Sequence, residues 1–95
     1  MNEYVRQIKQ LVVPILRRYG VTKAALFGSI VKSQMRSDSD IDMLVQIDED
    51  ISLLDFVGLK IELEEALNRN VDLVEYDTIK PLIRERILKE QEMIL

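Results

Sequence analysis

Apolar residues recur at helical spacing near the start of the chain: Val5, Ile8, Leu11, Val12, Ile15, Leu16 and Tyr19. Asn2 stands where a cap belongs, and Gly20 stands where the helix should end. Pro14 falls inside this pattern without a backbone donor, so a kink or two abutting helices is expected. Residues 23–27 (KAALF) form a short apolar run that stops at Gly28-Ser29, which reads as a buried strand and a sharp turn. Residues 41–47 (IDMLVQI) read as a second strand, entered through the polar turn 37–40. Ser52 and Asp55 resemble a capping box that opens a helix to about Leu67, with Phe56, Leu59, Leu63 and Leu67 on one stripe. Val57 and Ile61 widen the apolar surface beyond that stripe, which suits either a helix sandwiched in a small core or a partner contact. After a turn at residues 68–70, where Asn can take the left-handed conformation, residues 71–75 (VDLVE) read as a third strand. Pro81 suits the first turn of a final helix over residues 81–92. The order predicts a small α/β (α+β) fold with a mixed sheet of three or more strands and helices packed on it.

Ninety-five residues, 47% hydrophobic, amount to one small domain spanning 1–95. A chain this short leaves little room for a separate substrate-binding domain, so a second chain is expected to contribute. There is no cysteine and no histidine, which excludes disulfides, thiolate and imidazole metal sites and the usual imidazole base. Any chemistry must run on carboxylates, hydroxyls, Lys and Arg. No apolar run approaches the roughly 20 residues of a membrane span, and the N-terminus lacks the core of a signal peptide. A cytoplasmic location and no membrane contact are therefore expected.

The net charge of −4 conceals an asymmetry. Residues 1–37 carry seven bases against one acid, and residues 38–95 carry six bases against sixteen acids. The acidic balance argues against a nucleic-acid partner. Three of the acids stand in places where Asp is disfavoured. Asp40 and Asp42 bracket Ile41 at the start of the second strand, on one face and about 6.6 Å apart along it. Asp72 repeats the breach inside the third strand. If these strands are neighbours, three carboxylates converge, and an all-oxygen set suits magnesium or manganese better than zinc. Carboxylates holding two metal ions, with substrate phosphates filling the remaining positions, serve in-line phosphoryl or nucleotidyl displacement. The alternative is that Asp40 belongs to a turn and that Asp42 and Asp72 face solvent from an edge.

Gly28 lets the backbone approach a phosphate closely, Ser29 adds a hydroxyl donor, and Lys32 and Arg36 follow just downstream. Taken alone, a Gly-Ser pair is a tight turn; its position before the acidic pair gives it weight.

Gly28-Ser29, Arg36, Ser39-Asp40-Ile41-Asp42 and Asp72 within VDLV together resemble the signature of the minimal nucleotidyltransferases, the MNT branch of the DNA polymerase beta-like superfamily. The resemblance covers essentially the whole chain, including residues 79–88 (IKPLIRERIL), which look like the family's C-terminal helix. It implies that Asp40 and Asp42 bind two magnesium ions, with manganese as the substitute, and that Asp72 completes the site. Asp72 would lie nearest the attacking hydroxyl and assist its deprotonation. Gly28 and Ser29 would hold the triphosphate tail of ATP, with Lys32, Arg36 and Ser39 in the same nucleotide-binding loop. Ser33 departs from a glycine found in many members.

Members of this branch are often paired with a HEPN protein, a toxin for which the MNT chain is the antitoxin. The resemblance implies transfer of AMP from ATP to a tyrosine hydroxyl of that toxin. Two alternatives remain beside it. One is a non-catalytic antitoxin that covers the toxin, for which the width of the 53–67 helix and the tail Met93, Ile94 and Leu95 speak. The other is a nucleotidyltransferase acting on a small-molecule hydroxyl. A homo-oligomer is compatible with all of these readings.

Overall fold

The computed structural model describes residues 2–31, 40–48 and 50–95, without the side chain of Ser29. Helix α1 (Glu3–Arg18) buries Val5, Ile8, Val12, Ile15 and Leu16 of the stripe laid down by the sequence, while Leu11 stays exposed. Asn2 Oδ1 caps it by accepting the Val5 N–H at 2.8 Å, and Gly20 turns the chain with φ +79°. The helix runs through Pro14 as one element, so of the two expected outcomes, a kink or two abutting helices, the second does not occur. Pro14 and Gln10 are both exposed, so the missing Pro14 donor falls on the solvent side of the helix.

Strand β1 (Val21–Phe27) begins two residues earlier than the KAALF run, because Val21 pairs with Ile47 across a bulge. A single 3₁₀ turn (Gly28–Ile30) follows. Strand β2 (Ile41–Ile47) coincides with the expected run. Helix α2 (Leu53–Leu67) starts at Ser52, whose Oγ accepts the Asp55 N–H at 3.1 Å, and ends at Asn68 in the left-handed region, φ 53°. Strand β3 (Val71–Glu75), a 3₁₀ turn (Tyr76–Thr78), helix α3 (Pro81–Glu90) and a short strand β4 (Glu92–Met93) complete the order.

The sheet runs β3-β2-β1-β4, with β2–β3 parallel and the other pairs antiparallel. Helices α1 and α2 cover one face, where Leu26, Met43, Val45, Leu59 and Leu63 form the main core. The other face carries a smaller cluster of Ala25, Leu44, Tyr76 and Ile79, completed by Ile87 and Leu88 of α3. Because β2 is central and covered on both faces, it reads as a nearly continuous apolar run rather than an alternating one. Arg18 Nη2 reaches Glu62 Oε1 at 2.9 Å and ties α1 to α2. Glu64 Oε2 accepts the Val71 N–H at 2.9 Å, fixing the start of β3 against α2.

Three expectations are corrected by the structure. The final helix stops at Glu90 rather than 92, and the tail is part of the sheet instead of a surface kept for a partner. Met93 pairs with Ala25, the Ile94 N–H donates to the Ala24 carbonyl at 2.9 Å, and Ile94 is buried. The physical cause is the open edge of β1, whose unpaired backbone groups are satisfied by the returning chain. The third correction concerns α2: Val57 and Ile61 are exposed, so the helix is not sandwiched within this chain.

Candidate active site

The parallel pairing of β2 with β3 sets Asp42 directly beside Asp72, in register. Neighbouring strands lie about 4.8 Å apart, so the two carboxylates leave the same face side by side. That face is the one α3 covers farther along, where Leu44 and Val74 follow in the next positions. Asp40 precedes β2 by one residue and is exposed, as is Asp72, while Asp42 is half-buried. On its other side Asp42 pairs with Phe27, the last residue of β1.

Gly28 comes next, with φ +79°. A Cβ built on it would overlap Asp42 Oδ2 and would stand 3.4 Å from Asp42 Cγ. The Gly28 backbone therefore packs against the carboxylate, and only a residue without a side chain permits this approach. Two separate requirements, a positive φ and the missing Cβ, converge on one position.

Burial pushes the Asp42 carboxyl above its ordinary value, and the neighbouring charges of Asp72 and then Asp40 push it the same way. Such a concentration of half-shielded negative charge is a demand for cations. The donor set is all oxygen and includes a cradle that a Cβ would fill, which fits a hard divalent ion. Among the described residues, no group of three acidic side chains is drawn together at the spacing of a closed metal cage. Asp42 and Asp72 form the core of the set, with Asp40 at its margin.

The structure thus brings together Gly28, Asp42 and Asp72, while Asp40 stands at the margin and reaches Asp42 only through its charge. Lys32, Arg36 and Ser39 lie outside the described residues, and of Ser29 only the backbone, in the 3₁₀ turn, is described. Sequence reasoning missed two contributors. Phe27 flanks Asp42, which only the β1–β2 register reveals. Asn2 Nδ2 donates to the Ile30 carbonyl at 3.2 Å, so the residue that caps α1 also holds the turn after Gly28. The cap was legible from sequence; its second contact, 28 residues away, was not.

Comparison with known proteins agrees with this geometry. The family model described as "Polymerase beta, Nucleotidyltransferase" matches residues 10–95. The chain is 45% identical over 91 residues to a putative protein adenylyltransferase of Methanocaldococcus jannaschii, covering 96% of this chain and 98% of the relative. A solved structure of a putative minimal nucleotidyltransferase superposes with a TM-score of 0.82 at 36% identity, over 95% of this chain and 92% of that one. A toxin–antitoxin complex solved with AMP-PNP shares the fold, with a TM-score of 0.80 at 21% identity over 92% of this chain and 72% of that one. The carboxylates in register, the glycine packed against them and these matches lead to one conclusion: the chain belongs to the polymerase beta nucleotidyltransferase family and is an enzyme of the nucleotidyltransferase class.

Proposed function

We propose that this chain, working as one minimal nucleotidyltransferase domain in the cytoplasm, transfers AMP from ATP to a tyrosine hydroxyl of a HEPN-family toxin and so acts as its antitoxin. The observation that carries the reading is the in-register pair Asp42 and Asp72 with Gly28 packed against it. The M. jannaschii relative is named a putative protein adenylyltransferase, and the neighbour solved with AMP-PNP is a toxin–antitoxin complex. Both names favour a protein acceptor. Among the described residues no helix is long and apolar enough to cross a membrane.

In this reading Asp40, Asp42 and Asp72 hold two magnesium ions. Bound there, the ions would polarise the α-phosphate, lower the pKa of the acceptor hydroxyl and offset charge on the departing pyrophosphate. Asp72, at the exposed edge strand, faces the incoming acceptor and takes its proton. The acceptor oxygen bonds to the α-phosphorus of ATP, the bond from that phosphorus to the β-phosphate bridge breaks, and pyrophosphate leaves. The turn at Gly28 and Ser29 holds the triphosphate tail, with Lys32, Arg36 and Ser39 in the loop that follows. Fixing both reactants in line supplies most of the rate in such a site.

The test is incubation of the purified chain with labelled ATP, magnesium and a HEPN protein from the same genome. The wild type should label one tyrosine, and the Asp40→Asn/Asp42→Asn variant should label none. Equal labelling by both would refute the assignment. ATP with magnesium should raise the melting temperature more than either alone. A second reading, binding without catalysis, is favoured by the exposed apolar face of α2. It predicts that the same double variant still protects cells from the toxin.

A further inference from the structure

The outer face of α2 is apolar as well as the inner one. Leu59 and Leu63 are fully buried against the sheet, while Leu53, Leu54, Val57 and Ile61 are 77%, 82%, 43% and 48% exposed. Positions 54, 57 and 61 follow one another at helical spacing, and 53 adjoins 57 through the same period, so the four form one continuous stripe. A helix apolar on two opposite faces is a helix that meets a second surface. At its N-terminal end the stripe runs into an open groove of about 420 Å³ lined by Ile51, Leu53, Phe56, Leu73 and Val74, with Glu75 and Thr78 completing it. That groove gives an inserted side chain an apolar seat beside β3.

Charge decides what covers it. Asp55 and Glu65 lie along one flank of the stripe, on which Glu62 is already held by Arg18 of α1, and Asp50 stands before the N-terminus. Lys60 is the single base of α2. Two copies pairing through antiparallel α2 helices would set acidic flank against acidic flank, which is repulsive. A head-to-tail contact between copies, α2 onto the basic outer side of α1, would not close on itself unless a ring formed.

We infer that the outer face of α2 docks a helix of the partner protein, one that carries an apolar stripe flanked by Lys or Arg. The inference deepens the proposed function by placing the partner on this chain, and it rests on that reading for the first arm of its test only. The acidic flank steers the basic helix and sets its register, while the apolar stripe supplies most of the affinity.

The first arm measures binding of the HEPN protein to wild type and to Leu54→Glu/Val57→Glu by calorimetry. Both positions are exposed, so the variant should keep the wild-type melting curve and the wild-type thermal response to ATP with magnesium. Affinity should fall at least ~100-fold, in the range expected for truncating a central anchor. Asp55→Lys/Glu65→Lys should weaken binding ~10-fold at low salt and less at high salt. The second arm uses a synthetic amphipathic helix with a leucine stripe and lysine flanks, beside a counterpart with glutamate flanks. Wild type should bind the lysine peptide and not the glutamate peptide, and the Leu54→Glu/Val57→Glu variant should bind neither. If the HEPN protein fails to bind wild type but the lysine peptide binds as described, the partner assignment fails and the docking face stands. If the variant binds the HEPN protein as wild type does, the docking face is overturned while the partner assignment stands. Equal binding of the two peptides also overturns the docking face. Sedimentation showing that the wild type self-associates, and that Leu54→Glu/Val57→Glu abolishes it, would overturn the proposal in favour of a second copy.

Discussion

Replacing Gly28 with Ala separates two costs that this position combines. The first is conformational: a side chain at φ +79° costs about 1–2 kcal/mol. In a chain of this size that lowers the melting temperature by roughly 5–15 °C. The second is steric, since the new Cβ would overlap Asp42 Oδ2. The overlapping atom ends a side chain, so Asp42 rotates away and little further stability is lost. The carboxylate then no longer stands beside Asp72, and displacement on the scale of an ångström in a catalytic group costs about 100-fold in rate. Gly20 provides the control, because it has the same φ of +79° and nothing within 4 Å of its Cβ position. Both Ala variants should therefore melt earlier by similar amounts. Only Gly28→Ala should lose turnover, by about 100-fold in kcat, when nucleotide transfer is followed well below both melting temperatures. Full activity in Gly28→Ala, or an equal loss in Gly20→Ala, would refute the argument that the close approach to Asp42 matters.

Asp42→Asn should stabilise the metal-free chain at neutral pH. Because burial, Asp72 and Asp40 raise the folded-state pKa of Asp42, its ionisation costs stability as pH climbs from 3.8 through that raised value. Urea midpoints measured with a chelator present should diverge above this window and coincide below pH 3.8. Ile94→Ala, at a position 2% exposed, should cost about 2–4 kcal/mol in urea unfolding, whereas Leu82→Ala, at 99% exposed, should cost almost nothing. Equal and small effects would return the tail to the surface. Asn2→Asp keeps an oxygen to cap α1 but replaces the donor to the Ile30 carbonyl. It should leave the melting temperature nearly unchanged and raise KM for ATP several-fold with kcat preserved; an unaltered KM would detach Asn2 from the turn after Gly28.

Much of this protein was legible because the signals are local. The helix stripe from Val5 to Tyr19, the cap at Ser52, the left-handed turn at Asn68 and the bounds of β2 and β3 all follow from short-range spacing and propensity. The oddity of Asp42 and Asp72 was legible for the same reason, since a strand residue of the wrong type stands out against its own neighbours. Helix α1 crosses Pro14 without dividing because Pro14 and Gln10 lie on its solvent side, and exposure at those residues is a property of the packed helix rather than of the proline.

What sequence alone determined is therefore the set of elements, the residues capable of the chemistry, and the acidic half of the chain that holds all three of its carboxylates. Tertiary structure decided the rest. It chose parallel pairing of β2 with β3, and so brought Asp42 and Asp72 into register from opposite ends of α2. It drew residues 92–95 onto the free edge of β1, and it left the outer stripe of α2 bare. The physical reason is one of range: periodicity records which side of an element is apolar, but only the packing of distant elements settles which surface that side meets.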